Sequence, residues 1–405
     1  MKSATQILFV LFVFVLLAIP TFGQTERLIY KFSTTIGNPF SGIVIVKGSV
    51  YGTANGVYEL STKKQEVIYD CESSASLIAD SAGNLYGLTG PNTESRCSSI
   101  GTVFQLSQSK TGWTETTLHA FTGGADGRPG SLEDQGSLIM DASGNLYGTT
   151  YAGGLSGCGV VFELSPNGDG TWRESVLYAF TGLNGDGSNP VASVTLDTAG
   201  NLYGTTLYGG IYGFGTVFEL TPSSAGWTET VLHSFENLDP SNGALPIAGL
   251  VIDSEGNLYG TTWEGGANSG DWGTVYEVSP PNWDFTLLHS FEGTPSDGAL
   301  PGASLTFDAQ GNLWGTTFSG GRQDSQHEEC SSYDWGCGTV FELKPLAGNW
   351  EYSVVHFFAG AYTDGADPFG GIVFDSKGNA WGTTANGGHE YYPNMFTGTL
   401  YEIIP

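Results

Sequence analysis

The chain has 405 residues, and its formal net charge at pH 7 is −28 because 41 residues are acidic and only 13 are Lys or Arg. The basic residues are scattered rather than clustered, so they would not offset the repulsion of a nucleic-acid phosphate backbone, and we expect no nucleic-acid partner. Glycine, with 61 residues, has about twice its usual share. No 3.6-residue hydrophobic period continues past the N-terminal segment, which predicts an all-β protein.

The first 23 residues have the pattern of a secretory signal peptide. Lys2 precedes an apolar run at 7–19 that is too short to span a membrane, and Thr21 and Gly23 supply the small residues that signal peptidase needs. Cleavage after Gly23 removes Lys2 and moves the net charge from −28 to −29. We therefore expect a secreted or periplasmic protein with no membrane span after cleavage.

The heptapeptide GNLYGTT occurs at 144–150, 200–206 and 256–262. Related segments bring the total to seven, namely GSVYGTA (48–54), GNLYGLT (83–89), GNLWGTT (311–317) and GNAWGTT (378–384). The spacing, mostly 55 to 61 residues, is typical of propellers and stacked arrays. Each unit divides into four strand-sized pieces, as in 247–291. The pattern predicts one seven-bladed β-propeller domain at 24–405.

The two ends of the mature chain complement each other. The last unit stops at its third strand, GTLYEIIP (398–405), whereas the mature N-terminus begins with ERLIYKF (26–32), which has the pattern of a fourth strand. We therefore predict that 26–32 completes the last blade and leaves the ring without an open edge.

A D-x-x-G-N turn joins the first and second strands of most units. An Asp side chain can accept hydrogen bonds from the backbone N–H groups that follow it, and Gly can adopt a positive φ, so we interpret these carboxylates as structural. They are Asp80, Asp141, Asp197, Asp253, Asp308 and Asp375.

The pattern D-x-x-G-N-L-Y-G-T-T, then G-G, then G-T-V-F-E-L, then L-x-x-F resembles the GloVer tandem-repeat family of exported bacterial proteins. The resemblance covers essentially the whole mature chain. It implies export from a bacterial cell and a propeller-like fold, and it implies no reaction. The first hairpin alone has a looser similarity to NHL-type and gluconolactonase-type propellers, some of which are enzymes.

The connections between second and third strands are variable loops that share one face, and the longest is 319–338. Aromatic rings beside Asp and Asn in these loops suit sugars, since a ring covers the C–H side and polar groups bind the hydroxyls. The alternative is that the rings pack over Gly-Gly turns as loop cores. The candidate ligand-binding residues are Tyr208, Tyr212, Trp263, Trp272, Tyr333, Trp335 and Tyr391.

The loops that lead into each blade repeat a motif such as DGRP (126–129) or DGALP (297–301). Asp-Gly followed by Pro is primarily a turn signal. These motifs lie near the point where each innermost strand begins, at the mouth of the channel. An oxygen-rich mouth that binds Ca²⁺ is therefore a second, weaker possibility. Its candidate ligands are Asp126, Asp186, Asp297 and Asp364.

Two further residue types are informative. Cys330 and Cys337 lie close together in one loop, which favours a disulfide between them, and the pairing of Cys71, Cys97 and Cys158 stays open. His119, His233, His289 and His356 share one fourth-strand position with Tyr30, Tyr69 and Tyr178. A position shared by His and Tyr indicates semi-polar packing, and its members are spread around the ring.

Three functions fit these observations. The leading hypothesis is a monomeric, non-enzymatic exported propeller that binds a glycan or another surface macromolecule through its aromatic, acidic loop face. The alternative is a cation-dependent polysaccharide lyase or a hydrolase or lactonase with its site at the central channel, although no set of nucleophile, base and orienting residue is recognisable. The third is a purely structural or adhesion protein.

Overall fold

The computed structural model describes residues 25–33, 38–54, 56–61, 64–71, 73, 75–91, 97–130, 136–237, 239–267, 270–322, 336–360, 364–388 and 398–404. Within these ranges every regular element is a β-strand, and the strands form seven four-stranded antiparallel sheets. Each sheet is one blade, and the approaches to all seven first strands line a central channel. The structure is therefore the predicted seven-bladed β-propeller.

The strands are numbered in chain order. Strand β1 (Thr25–Lys31) precedes blade 1, which contains β2 (Val44–Val46), β3 (Ser49–Thr53), β4 (Val57–Ser61) and β5 (Lys64–Tyr69). Blade 2 contains β6 (Ile78–Ala79), β7 (Leu85–Thr89), β8 (Thr102–Ser109) and β9 (Gly112–Ala120). Blade 3 contains β10 (Ile139–Met140), β11 (Leu146–Thr150), β12 (Val160–Pro166) and β13 (Trp172–Ala179).

Blades 4 to 7 add a short two-stranded ribbon each. Blade 4 and its ribbon contain β14 (Gly187–Ser188), β15 (Thr195–Leu196), β16 (Leu202–Thr206), β17 (Tyr208–Gly209), β18 (Thr216–Ser223) and β19 (Gly226–Ser234). Blade 5 contains β20 (Gly243–Ala244), β21 (Val251–Ile252), β22 (Leu258–Thr262), β23 (Glu264–Gly265), β24 (Thr274–Ser279) and β25 (Asp284–Ser290). Blade 6 contains β26 (Gly298–Ala299), β27 (Thr306–Phe307), β28 (Leu313–Thr317), β29 (Ser319–Gly320), β30 (Thr339–Leu346) and β31 (Asn349–Phe357). Blade 7 contains β32 (Gly365–Ala366), β33 (Val373–Phe374), β34 (Ala380–Thr384), β35 (Asn386–Gly387) and β36 (Thr399–Ile404).

The ring closes through its chain ends, as predicted. Strand β1 pairs antiparallel with β36 and forms the outer strand of blade 7, with Glu26 opposite Ile403. Directly after β1, Phe32 is buried and its ring lies 5.0 Å from the ring of Tyr58 in blade 1. The N-terminal segment therefore completes blade 7 and also packs on blade 1.

The first strands are shorter than the sequence indicates. The pattern predicts one strand at 247–253, but β21 covers only Val251–Ile252. The preceding residues turn their backbone groups toward the neighbouring blade, since the N–H of Gly249 donates to Ser304 Oγ at 3.0 Å. Inner backbone groups are thus satisfied between blades as well as within them.

The loop rim is the end of the propeller that carries the second-to-third strand connections and the interblade loops, which lead from one blade to the next. The ribbons β14–β17, β20–β23, β26–β29 and β32–β35 join these two kinds of loop in blades 4 to 7. In blade 2 a disulfide between Cys71 and Cys97 joins the corresponding loops. Cys158 is free. Cys337 is buried and disulfide-bonded, and its predicted partner, Cys330, lies outside the described residues.

The D-x-x-G-N turns have the predicted structural role. In blade 3, Asp141 Oδ1 accepts the backbone N–H groups of Ser143 and Asn145, both at 2.8 Å, and Gly144 has φ +83°. Burial acts to raise the pKa of Asp141, but these bonds and the Asn145 side chain outweigh it and hold the pKa below its usual value. Equivalent bonds are made by Asp80, Asp197, Asp253, Asp308 and Asp375.

The rest of the repeated heptapeptide is also used by the scaffold. In blade 4, Leu202 is fully buried, and a Cβ on Gly204 would lie 2.6 Å from the Phe218 ring of the paired strand, so only Gly fits there. The hydroxyl of Thr205 donates to the carbonyl oxygen of Ala248 in the next blade at 3.0 Å. Five equivalent threonines bond the next blade in the same way, namely Thr53, Thr149, Thr261, Thr316 and Thr383.

Removal of the closing strand should destabilise the whole ring. We expect the chain that starts at Thr34 to melt at a much lower temperature than the chain that starts at Gln24, because β36 then becomes an open edge and the Phe32 contact is lost. Calorimetry of the two chains measures the difference. Equal melting temperatures would contradict closure by β1.

Thr205→Val should reveal the contribution of the interblade hydroxyl. Val preserves the side-chain volume but leaves the Ala248 carbonyl without its donor, so we expect a loss of about 1–2 kcal/mol in unfolding free energy. Thr205→Ser keeps the hydroxyl and is the matched control. Equal losses in the two variants would show that the hydroxyl is unimportant.

Candidate functional site

The central channel is lined by small residues from all seven blades and encloses a volume of about 220 Å³. Serine hydroxyls on its wall bridge neighbouring blades: the Gly42 N–H donates to Ser76 Oγ at 2.9 Å, and the Ser76 N–H donates to Ser137 Oγ at 3.0 Å. The lining residues in the described chain are Gly, Ala, Ser, Thr, Val, Ile and Phe, so this part of the wall offers no titratable side chain.

An aromatic group occupies part of the channel mouth on the loop rim. Phe40 and Phe369, from two interblade loops, line the channel, and their ring centroids are 6.4 Å apart. The ring of Trp263 lies 6.1 Å from Phe369 and 5.8 Å from Phe318. This part of the mouth is therefore apolar and aromatic.

A second aromatic group projects from blade 4. Tyr208 and Tyr212 lie on one short loop and are 44% and 48% exposed. Between them Ile211 is 70% exposed, and Leu183 on the adjacent interblade loop is 66% exposed. A Cβ on Gly185 would lie 3.2 Å from Ile211, so the two loops are in contact. Together they present an apolar surface to solvent with two phenol hydroxyls.

The other predicted aromatic candidates are placed differently. Trp272 packs against the core between blades 5 and 6, where it contacts the cluster around Tyr259 and Phe291. Its ring therefore acts as a loop core. Tyr333, Trp335 and Tyr391 lie outside the described residues.

The four Asp residues considered for Ca²⁺ are not among the residues that line the channel. Each lies farther out on the loop rim, beside the His or Tyr of the preceding blade's fourth strand. The assignment of these four residues to Ca²⁺ stays a prediction. The pairs are His119–Asp126 (3.4 Å), His289–Asp297 (3.0 Å), His356–Asp364 (3.3 Å) and Tyr178–Asp186, with His233–Asn242 (3.0 Å) as the amide equivalent.

A third side chain, from the fourth strand of the following blade, lies beside each of these pairs. We call the three side chains together a junction slot: the His or Tyr, its Asp or Asn, and the third residue. Between blades 5 and 6, Tyr352 donates its hydroxyl to Asp297 at 2.5 Å and stacks on His289 with ring centroids 3.6 Å apart. Between blades 4 and 5, Phe285 stacks on His233 at 4.1 Å. The corresponding residues in three other slots are Glu174, Glu229 and Glu26.

Burial and a neighbouring carboxylate disfavour the charged form of Glu26 and Glu229. Burial, and then the charge of Asp186, raise the pKa of Glu229 to about 7. Burial and the charge of Asp364 raise the pKa of Glu26 to about 7, although His356 partly opposes the shift. One buried oxygen of each of Glu26, Glu174 and Glu229 has no hydrogen-bond partner among the residues that the structure describes.

The sequence pattern indicates packing for the histidines and does not single out Glu26, Glu174 and Glu229 as their neighbours. A signal was present, because in every fourth strand the slot residue stands four positions before the His or Tyr position, as in Glu229 and His233 or Tyr352 and His356. However, the side chain of the slot residue faces the preceding blade. The spacing of residues within one unit therefore does not show which His, Tyr or Asp of that blade it contacts.

The repeats carry the clearest relationship to known proteins. The model of the Gloeobacter/Verrucomicrobia repeat matches residues 60–246 and 230–405. The chain belongs to the Gloeobacter/Verrucomicrobia repeat family. This confirms the resemblance seen in the heptapeptides.

Two solved structures are similar to this chain at low sequence identity. A putative oxidoreductase (glucose dehydrogenase) from Thermus thermophilus is 12% identical, with a TM-score of 0.47 over 94% of this chain and 100% of its own. A Penicillium chrysogenum alpha-L-arabinanase complexed with arabinobiose is 13% identical, with a TM-score of 0.46 over 81% of this chain and 91% of its own. No conclusion about chemistry follows from these likenesses. No curated protein matches the chain.

The described part of the repeat protein contains no helix with the length and apolar character needed to cross a bilayer. The Cys71–Cys97 disulfide is typical of an oxidising compartment.

Glu229→Gln should change how stability depends on pH. The folded-state pKa of Glu229, about 7, lies above its ordinary value of 4.5, so its protonated form stabilises the fold below about pH 4.5, and this contribution is lost as pH rises through 7. Gln stays neutral, and we expect the melting temperature of the variant, relative to the parent, to increase between pH 5 and pH 8. A difference that is constant over this range would contradict the buried, proton-binding role.

Proposed function

We propose that this member of the Gloeobacter/Verrucomicrobia repeat family is an exported, non-enzymatic binding protein that holds a glycan on its loop rim. The binding surface would consist of Tyr208 and Tyr212 on blade 4 and of Trp263 at the channel mouth. A single chain would be sufficient, since all three residues belong to one propeller.

The observation that carries the proposal is the exposure of two tyrosine rings on one compact loop. Each of these residues leaves nearly half of its surface in contact with solvent, and a sugar can lay its C–H face on such a ring while the hydroxyl binds its polar edge. The loop is held in place by its glycines and by the pairing of β17 with β14, so the rings are presented on a rigid support.

The chemistry of the channel wall favours binding over catalysis at the axis. A lyase or hydrolase needs a group that exchanges a proton at the reacting bond, and the described wall has hydroxyls and apolar side chains. Asp297 and Asp364 lie beside His289 and His356 at the junction slots and are not among the residues that line the channel.

Export is part of the same proposal. The apolar segment at 7–19 and the disulfide support it. A net charge of −28 favours a neutral or weakly basic polysaccharide over an acidic one.

A glycan array probed with the chain from Gln24 onward tests the proposal, followed by calorimetric titration of the best hit. We expect Tyr208→Ala and Tyr212→Ala each to weaken binding about tenfold, which corresponds to roughly 1.4 kcal/mol for one sugar–ring contact. Tyr208→Phe keeps the ring but removes the hydroxyl, and it should weaken binding less than Tyr208→Ala does. Leu346→Ala, at a 54% exposed position on the opposite end, is the surface control.

Melting temperatures of the variants establish that they fold. Binding that is unchanged in both Tyr→Ala variants would contradict the proposal, as would the absence of any glycan ligand. Turnover of a polysaccharide that EDTA abolishes would favour the enzymatic alternative instead.

A further inference from the structure

The junction slot between blades 6 and 7 brings together three potential metal ligands. Glu26 comes from β1, His356 from β31 and Asp364 from the interblade loop. One ligand atom from each lies within 4.8 Å of the other two. In the described part of the chain this is the one group of His, Cys, Asp and Glu gathered so closely.

Comparison with the other slots shows what the third residue does. It decides whether protein atoms fill the space beside the His and its Asp or Asn. Between blades 5 and 6 the third residue is Tyr352, whose hydroxyl donates to Asp297 and whose ring covers His289. Between blades 4 and 5 the carboxylate is replaced by Asn242 and the third residue by Phe285. In both cases protein atoms fill the slot without an additional charge.

The slot between blades 6 and 7 is not completed in this way. Glu26 replaces the tyrosine and cannot donate a hydrogen bond as a carboxylate. Its buried Oε1 has no partner within the described part of the chain. It also lies beside a second carboxylate, Asp364, which is 8% exposed. Two neighbouring carboxylates that are partly withdrawn from water repel each other, and a proton or a cation between them relieves this repulsion.

We propose that Glu26, His356 and Asp364 bind a divalent transition-metal ion of the Zn²⁺ type. One imidazole nitrogen with two carboxylate oxygens is a donor set that suits zinc and its neighbours, whereas Ca²⁺ takes oxygen ligands alone. The three protein ligands would leave a fourth position for water. None of the three residues lines the channel.

The surroundings of Asp364 fit this assignment. Its Oδ1 accepts the N–H of Gly365 at 2.7 Å and its Oδ2 accepts the N–H of Ala359 at 2.8 Å. These bonds fix the carboxylate, as outer-shell bonds do in metal sites, and leave lone pairs for an ion. Because Glu26 belongs to the closing strand, an ion here would attach β1 to blade 6 in addition to its pairing with β36.

The slot between blades 2 and 3 has the same residue types but a different geometry. His119 Nε2 lies 3.4 Å from Asp126 Oδ2, and within the described ranges neither His119 Nε2 nor Glu174 Oε1 has a hydrogen-bond partner. Its ligand atoms are not gathered within the distance found between blades 6 and 7. We therefore expect one ion per chain.

Zn²⁺ titration of the chain from Gln24 onward, without an oligohistidine tag and after removal of metal with EDTA, tests the proposal. We expect one Zn²⁺ per chain by calorimetry and, at about 100 times the dissociation constant, a rise in melting temperature of about 2–5 °C. Ca²⁺ at the same concentration should produce no comparable rise.

Glu26→Tyr is the decisive variant, because it copies the filling that Tyr352 provides one slot away. It should fold without metal at least as well as the metal-free parent and lose both the bound Zn²⁺ and the rise in melting temperature. Glu26→Gln gives a second test if the tyrosine is not accommodated. Glu229→Gln, in a slot that has Tyr178 in place of His, should retain the full Zn²⁺ response. Equal Zn²⁺ responses in the parent, Glu26→Tyr and Glu26→Gln, or no Zn²⁺ binding by the parent, would overturn the proposal.

Discussion

The antiparallel pairing of β1 with β36 is the interaction on which the rest of the structure depends. It converts seven stacked sheets into a closed ring, because the fourth strand of the last blade comes from the opposite end of the chain. Closure brings the interblade loops and the second-to-third connections together on one rim, where the exposed tyrosines of blade 4 lie. It also places Glu26 beside His356 and Asp364, which are more than 300 positions away along the chain.

The repeated heptapeptide is accounted for by the scaffold, residue by residue. Its Leu fills the core, its Gly leaves room for the aromatic ring of the paired strand, and its first Thr bonds the next blade, as Leu202, Gly204 and Thr205 show in blade 4. Its second Thr, Thr206, lies 2.8 Å from Thr216 on the paired strand. Specific chemistry therefore has to come from positions at which the units differ, and these lie on the loop rim.

The fold could be predicted from sequence because each unit contains its own strands and turns. The Asp turn depends on residues within five positions of one another, and the closing strand has the same pattern as the other fourth strands. The contacts between units could not be predicted, since sequence spacing within one unit does not show which residue of the next blade faces it. For this reason Asp297 and Asp364 were expected at the channel mouth and lie instead beside His289 and His356.

The same limit applies to the short features of the rim. The Cys71–Cys97 disulfide joins two loops that approach each other only when blade 2 is in place. The inner strands are short because residues such as Gly249 bond to Ser304 in the next blade instead of extending the ladder. By contrast, the exposure of Tyr208 and Tyr212 followed from their place in a variable loop.

Hydrogen exchange of the backbone amides of β1 is the most direct measurement of ring closure. If β1 is the fourth strand of blade 7, its hydrogen-bonded amides should be protected to the same degree as those of β9 and β19, the fourth strands of blades 2 and 4, and should exchange together with them. Exchange of the β1 amides at the rate of an unstructured terminus, while β9 and β19 remain protected, would contradict the closed ring and the sites built on it.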